Sequence, residues 1–311
     1  MSFSYPTRQT GIALVLVLWI ISLLTVMALG LTTTQRTESA LTQNQLDGAR
    51  FRATAEAAIN LTVLNLLSTP LDTESAGNVW VPDGMPRTLI FDRAKLSITL
   101  YNEGSRLDLN TATSEQLATL IELAQGEAGL DQGQYDALAD AIVDWRDADD
   151  LTQLNGAEDG DYEAAGLPYG ARDEPLQSVD ELQQVLGMTR ALYQRLAPHV
   201  SVDNDSGGVD EQFASAPVLA ALQGLSLEEA QRFVDERNAP VLPGAEQTAA
   251  VSRGGPLYRI RVSMAGADGI GRTMEALVLM QPGDTPPFEV RWRRYGLMQQ
   301  PIGISPPDGA E

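Results

Sequence analysis

The hydropathy of this chain is concentrated near its start. Residues 12–31 read IALVLVLWIISLLTVMALGL, twenty positions without a charge, interrupted by the weakly polar Ser22 and Thr25. At about 1.5 Å rise per residue such a helix is ~30 Å long, the thickness of a bilayer's hydrocarbon core. Backbone groups in lipid must be satisfied internally, so the pattern predicts a transmembrane helix. Beyond it, Leu41, Leu46, Ala49, Ala53, Ala57, Leu61, Leu64 and Leu67 recur every three to five residues, and no proline lies between Thr7 and Thr69. That spacing predicts an amphipathic continuation to about residue 68, roughly 85 Å of helix in all. Gly30 and Gly48 each weaken it by about 1 kcal/mol relative to Ala, and a break at Gly30 is the alternative. Pro70 closes the segment either way.

The period then shortens to two. Residues 78–81 form a short run, and residues 95–101 place Leu96, Ile98 and Leu100 on one face. Residues 106–110 alternate as well, and Asn102-Glu103-Gly104 between these runs predicts a hairpin turn. Strand chemistry returns at 257–264 and 273–280, linked by Gly266 to Gly271, with a further run at 287–295. Residues 71–110 and 256–295 therefore predict a head in which one antiparallel sheet lies against the long helix. Residues 111–255 become a helical insertion, and 296–311 a tail. Within the insertion, helices are predicted over 111–124, 135–145, 178–187, 189–196, 216–222 and 226–237, several opened by capping residues such as Thr113 and Ser226. The fold class is α+β.

Charge narrows the function. The 311 residues carry 42 Asp+Glu against 21 Lys+Arg, a net −21, which argues against a protein that coats phosphate backbones. With no cysteine and one histidine, His199, thiol nucleophiles, iron–sulfur clusters, common zinc sites and multi-His centres are excluded. Pro198-His199-Val200 reads as a packing or capping histidine at a helix end. No nucleophile elbow, P-loop or dinucleotide fingerprint is present, so no catalytic residue is assigned and an enzyme is not expected. The leader before the apolar run has one positive charge, Arg8, and no acid, which predicts a cytoplasmic N-terminus and a body across the membrane.

Acids are densest from Glu103 to Glu163: sixteen carboxylates against Arg106 and Arg146. Within this stretch Asp147, Asp149, Asp150, Glu158, Asp159 and Asp161 lie on or beside what reads as a glycine-containing loop. Clustered carboxylates repel unless they are spaced, protonated or bridged by a cation. Hard oxygens on a flexible loop suit calcium; a solvated acidic face is the alternative. The run is not an EF-hand, because Leu151 stands where a third oxygen-bearing side chain belongs.

Several of these pieces resemble a known family. Arg8-Gln9-Thr10-Gly11 directly before Ile12-Ala13-Leu14-Val15-Leu16 resembles the class III leader of type IV pilins and type II secretion pseudopilins. The resemblance implies cleavage between Gly11 and Ile12 by a prepilin peptidase and methylation of the new N-terminus. Most members carry Glu five residues after the cut, where this chain has Leu16. That absence, the unusual length, and the Leu109-Asn110-Thr111-Ala112, Asp144-Trp145-x-Asp147 and Gly156-Ala157-Glu158-Asp159 stretches resemble minor pseudopilins of the general secretion pathway protein K type. The family implies a pilin-like helix and sheet with a large all-α, helix-hairpin-helix/SAM-like insertion that binds structural calcium. It also implies a single-pass inner-membrane protein with a periplasmic head. Its expected partners are other minor pseudopilins in a tip complex, the major pseudopilin and the prepilin peptidase. The implied function is capping and initiating the pseudopilus of a type II secretion system. Two alternatives are an atypical minor pilin of a type IV pilus and a membrane-anchored helix-hairpin-helix DNA receptor. Against the latter, the first candidate hairpin, Gln125-Gly126-Glu127-Ala128-Gly129, is acidic and would repel phosphate, so no nucleic-acid partner is expected.

Overall fold

A helix without internal breaks opens the structure. In the computed structural model, which describes residues 11–68, 80–91, 94–125, 131–204, 208–239, 252–265 and 271–298, α1 runs Gly11–Ser68. The leader, including Arg8, lies outside the described residues, as do most of the candidate hairpin at 125–129 and the tail from residue 299. Of residues 11, 12 and 30–34 the backbone alone is described. Nothing lies within 4 Å of a Cβ built on Gly48, so its place in the helix reflects no steric demand.

The chain divides into two units after Thr54. In the first, residues 13–29, apolar except for Ser22 and Thr25, have exposed side chains, Trp19 at 76%. Among the described residues no helix is long and apolar enough to cross a membrane. The predicted span 12–31 extends at both ends into positions whose side chains lie outside the description.

In the second unit, the end of α1 buries Ala55, Ala58, Ile59, Thr62, Val63 and Leu66, the three-and-four spacing of one helical face. Five antiparallel strands follow in the order β1-β2-β5-β6-β7. They are β1 (Arg87–Phe91), β2 (Ala94–Asn102), β5 (Leu257–Ala265), β6 (Gly271–Met280) and β7 (Phe288–Met298). Register puts Ile98, Val262 and Met274 in one row and Leu100, Ile260 and Ala276 in the next, a fully buried apolar face. The Tyr295 hydroxyl of β7 lies 3.4 Å from Glu56 Oε1, and Arg253 donates to the Leu66 carbonyl, which ties the end of α1 to the sheet. The opposite face carries Tyr101, Arg259, Trp292, Arg261 and Glu275.

Strands β2 and β5 are neighbours, yet residues 103–256 separate them in the chain. That stretch holds α2 (Ser114–Ala124), α3 (Gln132–Arg146), α4 (Asp159–Ala164), α5 (Arg190–Leu196), α6 (Ala216–Gln223) and α7 (Leu227–Asn238). A two-stranded parallel ladder, β3 (Leu107–Asp108) with β4 (Val200–Ser201), joins its beginning to its middle. The helices share a core of their own, centred on Leu117, Leu120, Ile121, Ile142, Tyr162 and Leu219.

Four local expectations are corrected. The predicted hairpin at 102–104 is instead a 3-10 turn, Glu103–Ser105, closed by the Gly104 N–H on Asn102 Oδ1 at 3.2 Å. The chain then leaves the sheet, and Leu107–Asp108 pairs with β4 rather than with β2. The third predicted helix is a 3-10 helix, Val179–Gln184. Trp80 and Val81 are not in a strand, whereas β1 falls on Arg87-Thr88-Leu89-Ile90-Phe91, too short to show a period.

Candidate functional site

The most unusual chemistry gathers where α3 ends. Helix α3 opens on a capping box between Asp131 and Gln134 and presents Asp140 and Asp144, four residues apart and hence on one face. Both are withdrawn from water, at 9% and 0% exposure. Asp144 accepts the Gln153 N–H at 3.1 and 3.2 Å and the Ala157 N–H at 2.8 Å; Asp140 accepts the Asn155 N–H at 3.1 Å. The loop of residues 148–157 is therefore shaped by two helical carboxylates that serve as its anchors. Gly156 is required there, because a Cβ on it would collide with Asp144 Oδ2. Arg146 fixes the same helix end to the start of the helical segment by donating to the Leu109 and Ala112 carbonyls.

Beyond the loop, Glu158 precedes α4, and Asp161 Oδ2 accepts the Glu158 N–H at 3.0 Å. Tyr162 of α4 is buried beside Trp145 and Tyr169, with ring centroids 5.7 and 5.9 Å away. This aromatic group holds α4 against the end of α3. It leaves Glu158 8% exposed. Burial, then Asp144, Asp147, Asp173 and Asp150, push the Glu158 carboxyl up to about 7. Burial first, and then acidic neighbours, likewise raise Asp147 and Asp173. Asp173 holds a left-handed backbone, φ 56°, a conformation Asp tolerates better than most residues. Three carboxylate oxygens here, Asp147 Oδ1, Glu158 Oε1 and Asp173 Oδ1, are buried without a hydrogen-bond partner.

The six acids read from the sequence separate accordingly. Asp147 and Glu158 enter the cluster, and Asp150 acts on Glu158 and Asp173 from its edge. Asp159 packs so closely on Gly170 that a Cβ there would meet its carboxylate. Asp149 accepts the N–H of Leu151, and Asp161 is used by the start of α4. Asp144 and Asp173 were not among the six. The first sits in the Asp144-Trp145-x-Asp147 stretch as an apparent helix residue; the second lies beyond the acidic run, where only its tolerance of a left-handed conformation marks it. Orphaned buried carboxylate oxygens suit a hard cation such as calcium. Among the described residues, however, no three acidic or histidine side chains are gathered closely enough to hold an ion as they stand.

A second buried site joins the helical segment to the sheet. Glu103, 0% exposed, accepts from Arg259 Nε at 2.8 Å and from the Ser201 hydroxyl at 2.6 Å, and Arg106 Nε lies 3.7 Å away. Arg259 stacks on Trp292, whose indole N–H donates to Asp203 at 3.1 Å. Burial pushes the Glu103 carboxyl up, but Arg106 and Arg259 overcome this and hold it below 4.5. This arrangement is structural, since every charged oxygen is occupied.

Comparison with known proteins places these features. The family described as "Type II secretion system (T2SS), protein K" matches residues 99–205, which include both buried sites apart from Arg259 and Trp292. The type II secretion system protein K of Klebsiella pneumoniae is 32% identical over 75% of this chain and 76% of its own length. That of Aeromonas hydrophila is 28% identical over 89% and 90%. Among solved structures, the GspK-GspI-GspJ complex from enterotoxigenic Escherichia coli contains a chain of similar fold. Its TM-score is 0.56 at 21% identity, over 82% of this chain and 99% of that one. At 32% identity across about three quarters of each chain, this protein belongs to the type II secretion system protein K family of minor pseudopilins.

Proposed function

We propose that this protein caps and initiates the pseudopilus from the inner membrane of a Gram-negative bacterium, its head in the periplasm. The carrying observation is architectural: a helical segment inserted between adjacent strands β2 and β5 of a sheet that packs on a long N-terminal helix. The similar fold belongs to a GspK solved together with GspI and GspJ, which supports equivalent smaller minor pseudopilins as partners here, with the major pseudopilin below them. In this reading the sheet and α1 are the pilin-like head. The helical segment is the bulk that leaves room for subunits on one side only.

The apolar start of α1 is the anchor. Prepilin peptidase cuts between Gly11 and Ile12, guided by the Arg8 leader, and methylates Ile12. The anchor stays in the mature chain because the cut precedes it. A carboxylate in lipid is tolerated when a neighbour's terminal amine pairs with it. Leu16 offers none, so no subunit is recruited above. Co-expression of the full chain with its neighbouring minor pseudopilins and a prepilin peptidase tests both parts. The purified complex should contain the smaller subunits, and this chain should begin at Ile12. A mature chain beginning beyond residue 31 removes the anchor and the function with it.

In the same reading calcium would draw the acidic cluster together, since its carboxylates do not hold an ion as they stand. Asp147, Glu158 and Asp173 would supply the orphaned oxygens, with Asp144 and Asp150 adding charge. When bound, the ion supplies positive charge and oxygen coordination and has no part in catalysis. Chelation should lower the melting temperature and calcium restore it; indifference to both ends the assignment.

A further inference from the structure

The loop of residues 148–157 is held from within, and its acidic flanks account for only part of what it presents. Two buried carboxylates, Asp140 and Asp144, are used to hold its backbone N–H groups, and Gly156 is kept where no side chain fits. A loop so anchored presents its outward residues in a fixed arrangement. Those residues include two leucines, Leu151 at 74% and Leu154 at 93% exposure. Beside the loop lies a hollow of about 250 Å³ lined by Leu138, Ala141, Asn155 and Leu186. Neither leucine lines it, so both face water although an apolar recess adjoins their own loop.

The surroundings identify what covers them. Asp149 and Asp150 precede Leu151, Asp159 and Asp161 follow Leu154, and all four are exposed. A surface of anionic lipid would be repelled by these charges, and so would nucleic acid. Pairing with a second copy through the same patch would set acid against acid across a two-fold axis. An apolar pocket with a basic rim meets both requirements, because it buries the leucines and answers the carboxylates.

We propose that residues 148–155 form a docking knob, and that Leu151 and Leu154 seat in an apolar pocket rimmed by Lys or Arg on another protein of the secretion machine. The knob is a second interaction surface, distinct from the sheet-and-helix packing that assembles the tip, and it needs no bound metal.

The test uses the full chain in cells carrying the complete secretion system. A benzophenone amino acid is placed at Leu151 or Leu154, and at the exposed Glu163 as control. Irradiation should give one discrete protein product from the two leucine positions and none above background from the control. The cross-linked peptide should carry more Lys and Arg than Asp and Glu beside apolar residues. Leu154→Asp should lower secretion at least tenfold while melting temperature and recovery of the other minor pseudopilins stay at wild-type levels; Leu154→Met should secrete normally. Absence of those partners from the wild-type preparation would count against the assembly reading alone, whereas their loss only in Leu154→Asp would put the leucine in the tip interface and overturn the knob. Product with lipid, product with an acidic peptide, no product, or wild-type secretion by the Leu151→Asp, Leu154→Asp double variant would each overturn the knob.

Discussion

Glu103 and Glu158 are both withdrawn from water, at 0% and 8% exposure, and both sit where a strand or loop turns into a helix. Around Glu103 the chain has placed two guanidiniums and a hydroxyl, and the carboxyl is held below its ordinary value. Around Glu158 it has placed Asp144, Asp147 and Asp173, and the carboxyl is pushed up to about 7. Burial is thus common to both, and the neighbours decide the sign. A buried acid with its own cations holds the structure together; a buried acid among acids, with an oxygen left unpartnered, is destabilising in its charged form, and a proton or a cation relieves it.

Removing charge tests this contrast most severely. Glu103→Gln strands Arg106 and Arg259 in the interior, and breaking such a buried pair costs about 3–5 kcal/mol. Urea unfolding of the purified protein should show that loss. Glu158→Gln, measured in chelator, should move the other way and stabilise. If the two substitutions shift the midpoint alike, the contrast fails. Next in size is calcium itself: at a hundredfold excess over its dissociation constant it should add about 2.7 kcal/mol. Glu103→Gln should keep that increment and Glu158→Gln should lose it, as differential scanning calorimetry would read.

Much of this was legible in sequence because it is written locally. The Thr113/Gln116 and Ser226/Glu229 capping boxes mark the starts of α2 and α7, and the alternation of Leu96, Ile98 and Leu100 marks the core face of β2. What escaped depends on distant partners. Nothing near Leu107 announces that its partner is Val200, and Asn102 carries no sign that it will reach Asp210 at 2.7 Å. The candidate site divides the same way. An acid-rich stretch is visible in composition, but whether Asp149 caps its own turn or Asp144 anchors a loop depends on how the helix end meets the following backbone.

Loop geometry gives a smaller effect. Gly156→Ala drives a methyl group into the Asp144 carboxylate, and overpacking of this kind costs about 1–3 kcal/mol. Gly160→Ala, with nothing within 4 Å of its Cβ, should stay within about 0.5 kcal/mol of wild type. Thermal melts of the pair show whether the loop is held as tightly as Asp144 implies. Equal stability of the two variants would mean that the loop moves aside.

The smallest effects should come from acid, and their sign follows from the joint at Glu103. Its carboxyl, held below 4.5 by Arg106 and Arg259 against the pull of burial, contributes fully above 4.5 and loses that contribution as pH falls through its lower folded value. His199, with Nδ1 2.8 Å from the Ser215 hydroxyl, is held below 6.5 by burial and then by Arg106. The folded protein therefore resists protonating it, and stability declines as pH drops from 6.5 toward that lowered value. Two steps of the same sign result, the upper from an imidazole and the lower from a carboxylate. The difference in urea midpoint between wild type and His199→Gln should narrow as pH falls below 6.5, and that between wild type and Glu103→Gln only below 4.5. Taking differences cancels the remaining acids. A Glu103→Gln difference that stayed constant down to the acid unfolding limit would show that the two guanidiniums do not set the state of this carboxyl, and the comparison with Glu158 would lose its paired half.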